Sequence, residues 1–243
     1  MDPADFYTGI VAQMYKPLKS TTHPSTPYIR LVEKYGEPAL ELGCGDGEPL
    51  LDLRRHGLDV EGVDSSADML DRCRRSAADE GMTVVLHHQK MEALDLPRRY
   101  RTIFLAGPTF NLLPDDDAAL SALRGIRAHL REDGVGVVPL FVPSPTPSNE
   151  LGRSREAKGD DGIVLRFSVL SEERDESARV QRAILRYERQ VGDDTEIVDR
   201  PWILHWYRQE GFRDLATAAG LQGEAVKNAQ EDSEDFTILV RRA

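Results

Sequence analysis

The stretch Ala39-Leu40-Glu41-Leu42-Gly43-Cys44-Gly45-Asp46-Gly47 decides how the chain is read. A short apolar run ends in glycines at every second position, and Leu50, Leu51 and Leu53 follow with helical spacing, so the segment reads as strand, tight turn and helix. Glycine tolerates positive φ and carries no side chain, which lets backbone approach a nucleotide-sized ligand at the carboxyl end of a strand. A dinucleotide fingerprint would need glycine or alanine five positions after Gly43. This chain has Glu48 there and Asp46 inside the loop, and both carboxylates suit a pyrophosphate poorly. A P-loop is excluded because no Gly-Lys-Ser/Thr closes the turn. An adenosine ligand without phosphates remains. The next run, Leu58-Asp59-Val60-Glu61-Gly62-Val63-Asp64, supports it, since Asp64 at its end is placed to accept both ribose hydroxyls.

Leu40 to Gly47, then Gly62-Val63-Asp64-Ser65-Ser66 with Met69-Leu70 behind, resemble the class I S-adenosylmethionine-dependent methyltransferases at the spacing of one βαβ unit. The likeness in element order runs over nearly the whole chain. It implies an α/β, Rossmann-like open sheet, mostly parallel with an antiparallel last strand, helices on both faces and a small antiparallel insertion sheet. It also implies S-adenosyl-L-methionine as cofactor, held by Tyr15, Glu41, Gly43, Cys44, Gly45, Asp64, Ser65, Met69, Lys90, Met91, Glu92 and Ala106. Family members often carry Gly-Asp-Met or a similar acidic turn after the third strand. Here Met91 matches and Lys90 replaces the acid, which leaves the adenine to backbone groups around Met91 and to Glu92.

At 243 residues the chain has room for one substantial α/β core. A formal net charge of -11 argues against nucleic acid as partner, because that binding rests on clustered Lys and Arg. No apolar run approaches a membrane span, and the N-terminus lacks the layout of a signal peptide, so a soluble cytoplasmic protein without a membrane partner is expected, monomer or homodimer. Cys44 and Cys73 cannot make a disulfide framework or a zinc site by themselves. Cys44 reads as a nucleophile or, by the tendency of free cysteine to be buried, as a small wedge behind the ligand loop.

Along the chain, residues 5–18 form an amphipathic pattern through Phe6, Tyr7, Ile10, Val11, Met14 and Tyr15. That helix either packs on the main sheet or, as in the resembled family, lies over the cofactor as a lid with Tyr15 near the methionine part. A loop over 20–27 precedes a second helix over 28–35. Helices are expected over 48–56, 66–80 and from 115 to 131, and strands over 58–64, 83–87, 101–106 and 135–142, the last with a bend or locally unpaired backbone at Pro139. His87 and His88 suggest a metal, but neighbours on a strand face opposite ways. Asp115-Asp116-Asp117 suggests one too, yet reads better as an acidic helix start. Three strand-like runs over 162–170, 178–190 and 196–207 form an antiparallel meander, and a helix over 208–219 with strands over 222–227 and 235–240 completes the sheet. One domain is therefore expected, with 1–35 as a helical lid, 36–142 and 208–243 as the cofactor core, and 143–207 as an insertion over the acceptor site.

The expected reaction is in-line methyl transfer to a nitrogen or oxygen of a small-molecule acceptor, for which positioning can supply roughly 7–11 kcal/mol of the barrier. The loop carrying Phe110 and Asn111 is expected to close over the sulfonium and face the acceptor. His205, among Trp202, Trp206 and Tyr207, is expected either to act as base or orienting group, because it titrates in the useful range, or to be hydrogen-bonded at the sheet surface. Period-two alternation puts His205 and Tyr207 on one face and Trp202, Leu204 and Trp206 on the other, and one set alone can face the acceptor. A non-catalytic sensor or assembly protein of the same fold is the alternative, favoured by Lys90. A dehydrogenase is disfavoured by Glu48.

Overall fold

Strand β1 (Ala39–Leu42) is buried at every residue, as a strand must be when it has neighbours on both sides and helices on both faces. The computed structural model describes residues 6–18, 24–158, 163–226 and 234–243. Residues 5, 20–23, 162 and 227 of the predicted segments lie outside that set. β1 pairs in parallel with β2 (Val60–Asp64) and with β4 (Tyr100–Phe104). Beyond β2 lies β3 (Leu86–His88), and beyond β4 lies β5 (Leu130–Phe141). β10 (Leu221–Val226) and β11 (Asp235–Arg242) complete a seven-stranded sheet in the order β10-β11-β5-β4-β1-β2-β3. β11 runs antiparallel to both neighbours, as expected of the last strand.

Side chains alternate between two cores. Leu40, Leu42, Ile103 and Leu105 face α5 (Asp116–His129) and α6 (Gln209–Ala218), with Leu123, Ile126 and Phe212 fully buried against them. Ala39 and Phe104 face the other way, toward α2 (Thr26–Tyr35), α3 (Leu50–Arg55) and α4 (Ala67–Asp79). The chain builds β1, β2 and β3 outward in one direction, then returns to place β4 on the other side of β1. The carboxyl ends of β1 and β4 therefore flank the crevice at the switch point, where ligands of open α/β sheets bind.

Two boundaries, and the backbone at Pro139, depart from expectation for visible reasons. α5 stops at His129, whose ring accepts the Leu96 N–H at 3.0 Å, and β5 begins at once, with a register shift before its regular pairing. β3 starts at Leu86 because Val85 is 51 % exposed and finds no core to face. Pro139 breaks nothing: Val137 accepts from Leu105 N at 3.3 Å, so alternation turns the Pro139 nitrogen to the same side, past the end of β4.

The insertion is a four-stranded antiparallel sheet, β6 (Arg155–Lys158), β7 (Val164–Asp175), β8 (Val180–Val191) and β9 (Asp194–His205), in that order. β6 was absent from the expected meander because Arg-Glu-Ala-Lys has no apolar alternation. Pairing with β7 makes it a strand. The first helix, α1 (Ile10–Leu18), is shorter than its pattern, and Phe6 and Tyr7 precede it. Its apolar face is spent on the insertion rather than the main sheet: Phe6, Ile10, Val11 and Met14 pack on Leu165, Ala183, Leu185 and Tyr187. Two hydrogen bonds tie this N-terminal segment to the start of α4, Ser66 Oγ to Tyr7 O at 2.5 Å and Gly9 N to Asp68 Oδ2 at 2.6 Å.

Candidate cofactor and acceptor site

The start of the turn after β1 is held by backbone hydrogen bonds. Gly43 and Cys44 both donate to the Val63 carbonyl, at 2.8 and 3.0 Å, which folds the turn across the end of β2. Gly43 has φ +72°, and a Cβ there would meet Thr109 Cγ2 at 2.7 Å, so both conformation and space demand glycine. A Cβ at Gly62 would meet Cys44 Sγ at 2.6 Å. The Cys44 thiol thus fills the space behind the turn, and burial pushes its pKa well up, which makes it a wedge and no nucleophile.

Asp64 ends β2 and is aimed by its neighbours. Its Oδ2 accepts Gly45 N and its Oδ1 accepts Ser66 N, each at 2.8 Å. Burial pushes its carboxyl upward, and the N–H groups of Ser66 and Gly45 together with His88 offset part of that rise. Each oxygen keeps a lone pair for a further donor. Ser66 caps α4 by accepting Met69 N at 3.2 Å.

One cavity lies over this turn. Of the residues expected at the cofactor, Tyr15, Gly43, Gly45, Asp64, Ser65, Met69, Lys90, Met91 and Glu92 line it. Glu41, Cys44 and Ala106 do not. Glu41 is fully buried in β1 on the face opposite Leu40 and Leu42, and its charge, after burial, raises the Tyr28 hydroxyl. Gln89 also lines the cavity. Its side chain accepts Asp95 N at 2.9 Å and donates to Asp95 O at 2.8 Å, which closes the turn carrying Lys90, Met91 and Glu92.

The opposite wall comes from elsewhere in the chain: Phe6 and Tyr7, then Thr109 and Leu112 to Pro114, then Pro201, Trp202 and Ile203. Of these, Trp202 and the loop after β4 were raised in the sequence as possible neighbours of the acceptor, and Phe6, Pro114, Pro201 and Ile203 were not singled out. The nearest signal was the apolar loop after β4, but its single 3-10 turn (Thr109–Leu112) turns Phe110 and Asn111 into the core and leaves their neighbours at the cavity.

The two residues expected to be catalytic therefore stand elsewhere, and the structure corrects that assignment. Asn111 is fully buried. Its amide donates to Phe141 O at 2.9 Å and to His205 O at 3.0 Å, and accepts Phe141 N at 3.3 Å. It rivets β5, the 3-10 turn and β9 together. His205 is 3 % exposed and sits with Tyr207, Asp116 and Arg179, outside the cavity lining. Burial lowers its pKa, Asp116 pulls it back up and Arg179 pushes it down, so the ring is neutral at pH 7. Arg179 Nη2 donates to both Asp116 oxygens at 2.7 Å, and Tyr207 OH donates to Oδ1 at 2.7 Å. Burial works to raise the Asp116 carboxyl, but Tyr207 and Arg179 outweigh it and hold it low. Of the two faces in this stretch, the one carrying Trp202 borders the cavity.

The histidine pair divides as alternation requires: His87 meets Glu61 at 2.9 Å, and His88 meets Ser65 O at 2.9 Å. Asp115 caps α5 by accepting Ala118 N at 2.9 Å. Among the described residues no helix is long and apolar enough to cross a membrane. The bare-backbone turn beside an acid at the next strand's end fits an adenosyl group, and Met69 and the 90–92 turn line the same cavity.

Comparisons with known proteins agree. Residues 39–134 match the model of a methyltransferase domain. A dTDP-3-amino-3,6-dideoxy-alpha-D-glucopyranose N,N-dimethyltransferase from Streptomyces fradiae is 30% identical over 249 residues, covering 98% of this chain and 93% of the relative. In fold, the chain is similar to the CcbJ methyltransferase from Streptomyces caelestis, with TM-score 0.78 and 24% identity over 100% of both chains. It is also similar to a sugar N-methyltransferase from Streptoalloteichus sp, with TM-score 0.74 and 21% identity over 96% of this chain and 92% of that one. The turn at 43–47, the acid at 64 and a relative matched from end to end lead to one conclusion: the chain belongs to the class I S-adenosylmethionine-dependent methyltransferases.

Proposed function

We propose that this enzyme methylates the amine nitrogen of a small cyclic acceptor, an amino-deoxy sugar being the best fit. The observation that carries the reading is a cavity shared by two parts of the chain: the cofactor turn with Asp64 on one side, and the aromatic wall of N-terminal segment and insertion on the other. The relative named for an amino-sugar substrate matches across both parts. S-adenosylmethionine, when bound, supplies an activated methyl group on a sulfonium and a neutral thioether as leaving group.

What the chain adds is alignment and the exclusion of water. Asp64, Gly43 and Gly45 fix the adenosyl end, while Phe6, Tyr7 and Trp202 roof the cavity. Phe6 and Trp202 have ring centroids 4.5 Å apart, so the lid segment and the insertion close on each other. An in-line approach needs such a rigid corridor. Nitrogen is favoured over oxygen because His205, the histidine best suited by sequence to serve as base, stands outside the lining, and an amine has a neutral fraction that needs no base.

The test is direct. Purified protein is incubated with S-adenosylmethionine and a panel of nucleotide-linked amino sugars, hydroxyl analogues and peptide amines, and products are read by mass. Gains of one or two methyl groups on amino sugars alone are expected. S-adenosylhomocysteine binding without methylation of any panel member would replace this reading with that of a cofactor-binding sensor.

A further inference from the structure

The cavity does not end at Trp202. A second hollow opens between α1 and the insertion sheet, and it shares Phe6, Tyr7, Tyr15 and Trp202 with the first. Its remaining walls are largely apolar, with Val11 and Met14 from α1 and Phe167, Val169 and Leu185 from β7 and β8. Polar side chains interrupt them, four of which bear on the argument. Tyr187 is 9 % exposed, and its hydroxyl has no hydrogen-bond partner among the described residues. The Tyr7 hydroxyl likewise has no hydrogen-bond partner among the described residues, and Tyr187 is within electrostatic reach of it. Burial keeps both protonated, hence donors. Gln181, 7 % exposed, accepts Arg174 Nη1 at 3.0 Å through its oxygen, which leaves its amide N–H groups to the hollow. Glu172 accepts Thr146 N at 2.8 Å and Thr146 Oγ1 at 2.6 Å, so its carboxylate is held in place with lone pairs to spare.

Two phenols and an amide without a protein partner for their donors thus border one apolar hollow, next to the cofactor cavity. We infer that this hollow is the acceptor subsite and takes a poorly hydroxylated ring bearing an amine. The inference rests on the methyl-transfer reading above and adds to it the residues that select the acceptor. Apolar and aromatic walls take the C–H faces of the ring. Tyr7, Tyr187 and Gln181 donate to its few oxygens. Glu172 supplies the negative charge that draws the amine-bearing edge inward. Among the described residues no Lys or Arg lines the hollow, so a phosphate belongs outside it.

Tyr187→Phe and Glu172→Gln test this, because neither position lines the cofactor cavity and both changes keep the side chain's shape. Calorimetry with S-adenosylhomocysteine, then with dTDP-3-amino-3,6-dideoxyglucose on the S-adenosylhomocysteine-saturated enzyme, gives the two affinities separately. The cofactor Kd is expected to stay at the wild-type value, while the sugar Kd rises about fivefold for Tyr187→Phe and about tenfold for Glu172→Gln. If wild type binds the sugar and both variants bind it equally well, the subsite assignment falls and the proposed reaction stands. If wild type binds S-adenosylhomocysteine but not the sugar, the acceptor class falls and the subsite with it.

Discussion

The turn at 43–47 and the wall at 201–203 face each other across one cavity, and the chain holds them by opposite means. The turn is made of backbone hydrogen bonds inside a single βαβ unit, with Asp64 joined to Gly45 only 19 residues away. The wall is fixed by side chains brought from far apart. Tyr207 reaches Asp116 across 91 residues, Arg179 reaches the same carboxylate across 63, and Asn111 reaches His205 across 94. Backbone geometry can bind an adenosyl group wherever the glycines and one acid recur. A wall built of side chains can change with the acceptor while the turn stays as it is.

The largest expected effect breaks the turn. Asp64→Ala removes both acceptors proposed for the ribose and also releases Gly45 N and Ser66 N. Hydrogen bonds to a charged group contribute about 1.5 kcal/mol or more each, so the loss of two weakens S-adenosylhomocysteine binding about 100-fold by calorimetry. Wild-type affinity in this variant would mean that the turn, and not the acid, carries recognition, and the contrast between the two halves would lose its cofactor side.

The second effect falls on the wall and separates stability from catalysis. Asn111→Ala strands the Phe141 N–H and the carbonyls of Phe141 and His205 in a fully buried place. Unfolding in urea should show a loss on the order of 3 kcal/mol. The fraction that remains folded should bind S-adenosylhomocysteine with unchanged Kd. A variant as stable as wild type but slow in methyl transfer would return Asn111 to the catalytic role its place in the sequence suggested.

This contrast also explains what could be read in advance. Strand, turn, helix and Asp64 were legible because each signal is local: glycine spacing, apolar periodicity and an acid one strand later. Nine of the twelve expected cofactor positions line the cavity for that reason. For Trp202 the sequence left open which face of its strand meets the acceptor, and Phe6, Pro114, Pro201 and Ile203 were not picked out at all, because membership of the wall depends on which distant segments meet. α1 shows the same limit: its amphipathic pattern was plain, but nothing in it said that the face covered the insertion rather than the main sheet. Asn111 and His205 misled for a related reason. A polar residue at the carboxyl edge of a sheet looks the same in sequence whether it faces a ligand or ties two strands together.

The smallest effect probes how tightly the wall is closed. His205 is buried beside Asp116, Arg179 and Tyr207, with Asp115 also within electrostatic reach, and burial holds its folded pKa below the ordinary value of about 6.5. The unfolded chain therefore binds a proton at His205 that the folded chain refuses, in the window from about pH 6.5 down to the depressed folded value. Stability contributed by the neutral ring is fully present above about pH 6.5 and is lost as pH falls through that window, with a slope of at most about 1.4 kcal/mol per pH unit. Thermal midpoints measured between pH 8 and 5.5 should fall on the acid side in wild type and fall less in His205→Gln, which keeps a hydrogen-bonding group and does not titrate. In Asp116→Asn the carboxylate that draws the His205 pKa upward is gone, so the window widens toward lower pH and the acid loss deepens. Equal acid sensitivity in wild type and His205→Gln would show that the ring is open to water, and then the insertion is seated on the core more loosely than its hydrogen bonds indicate.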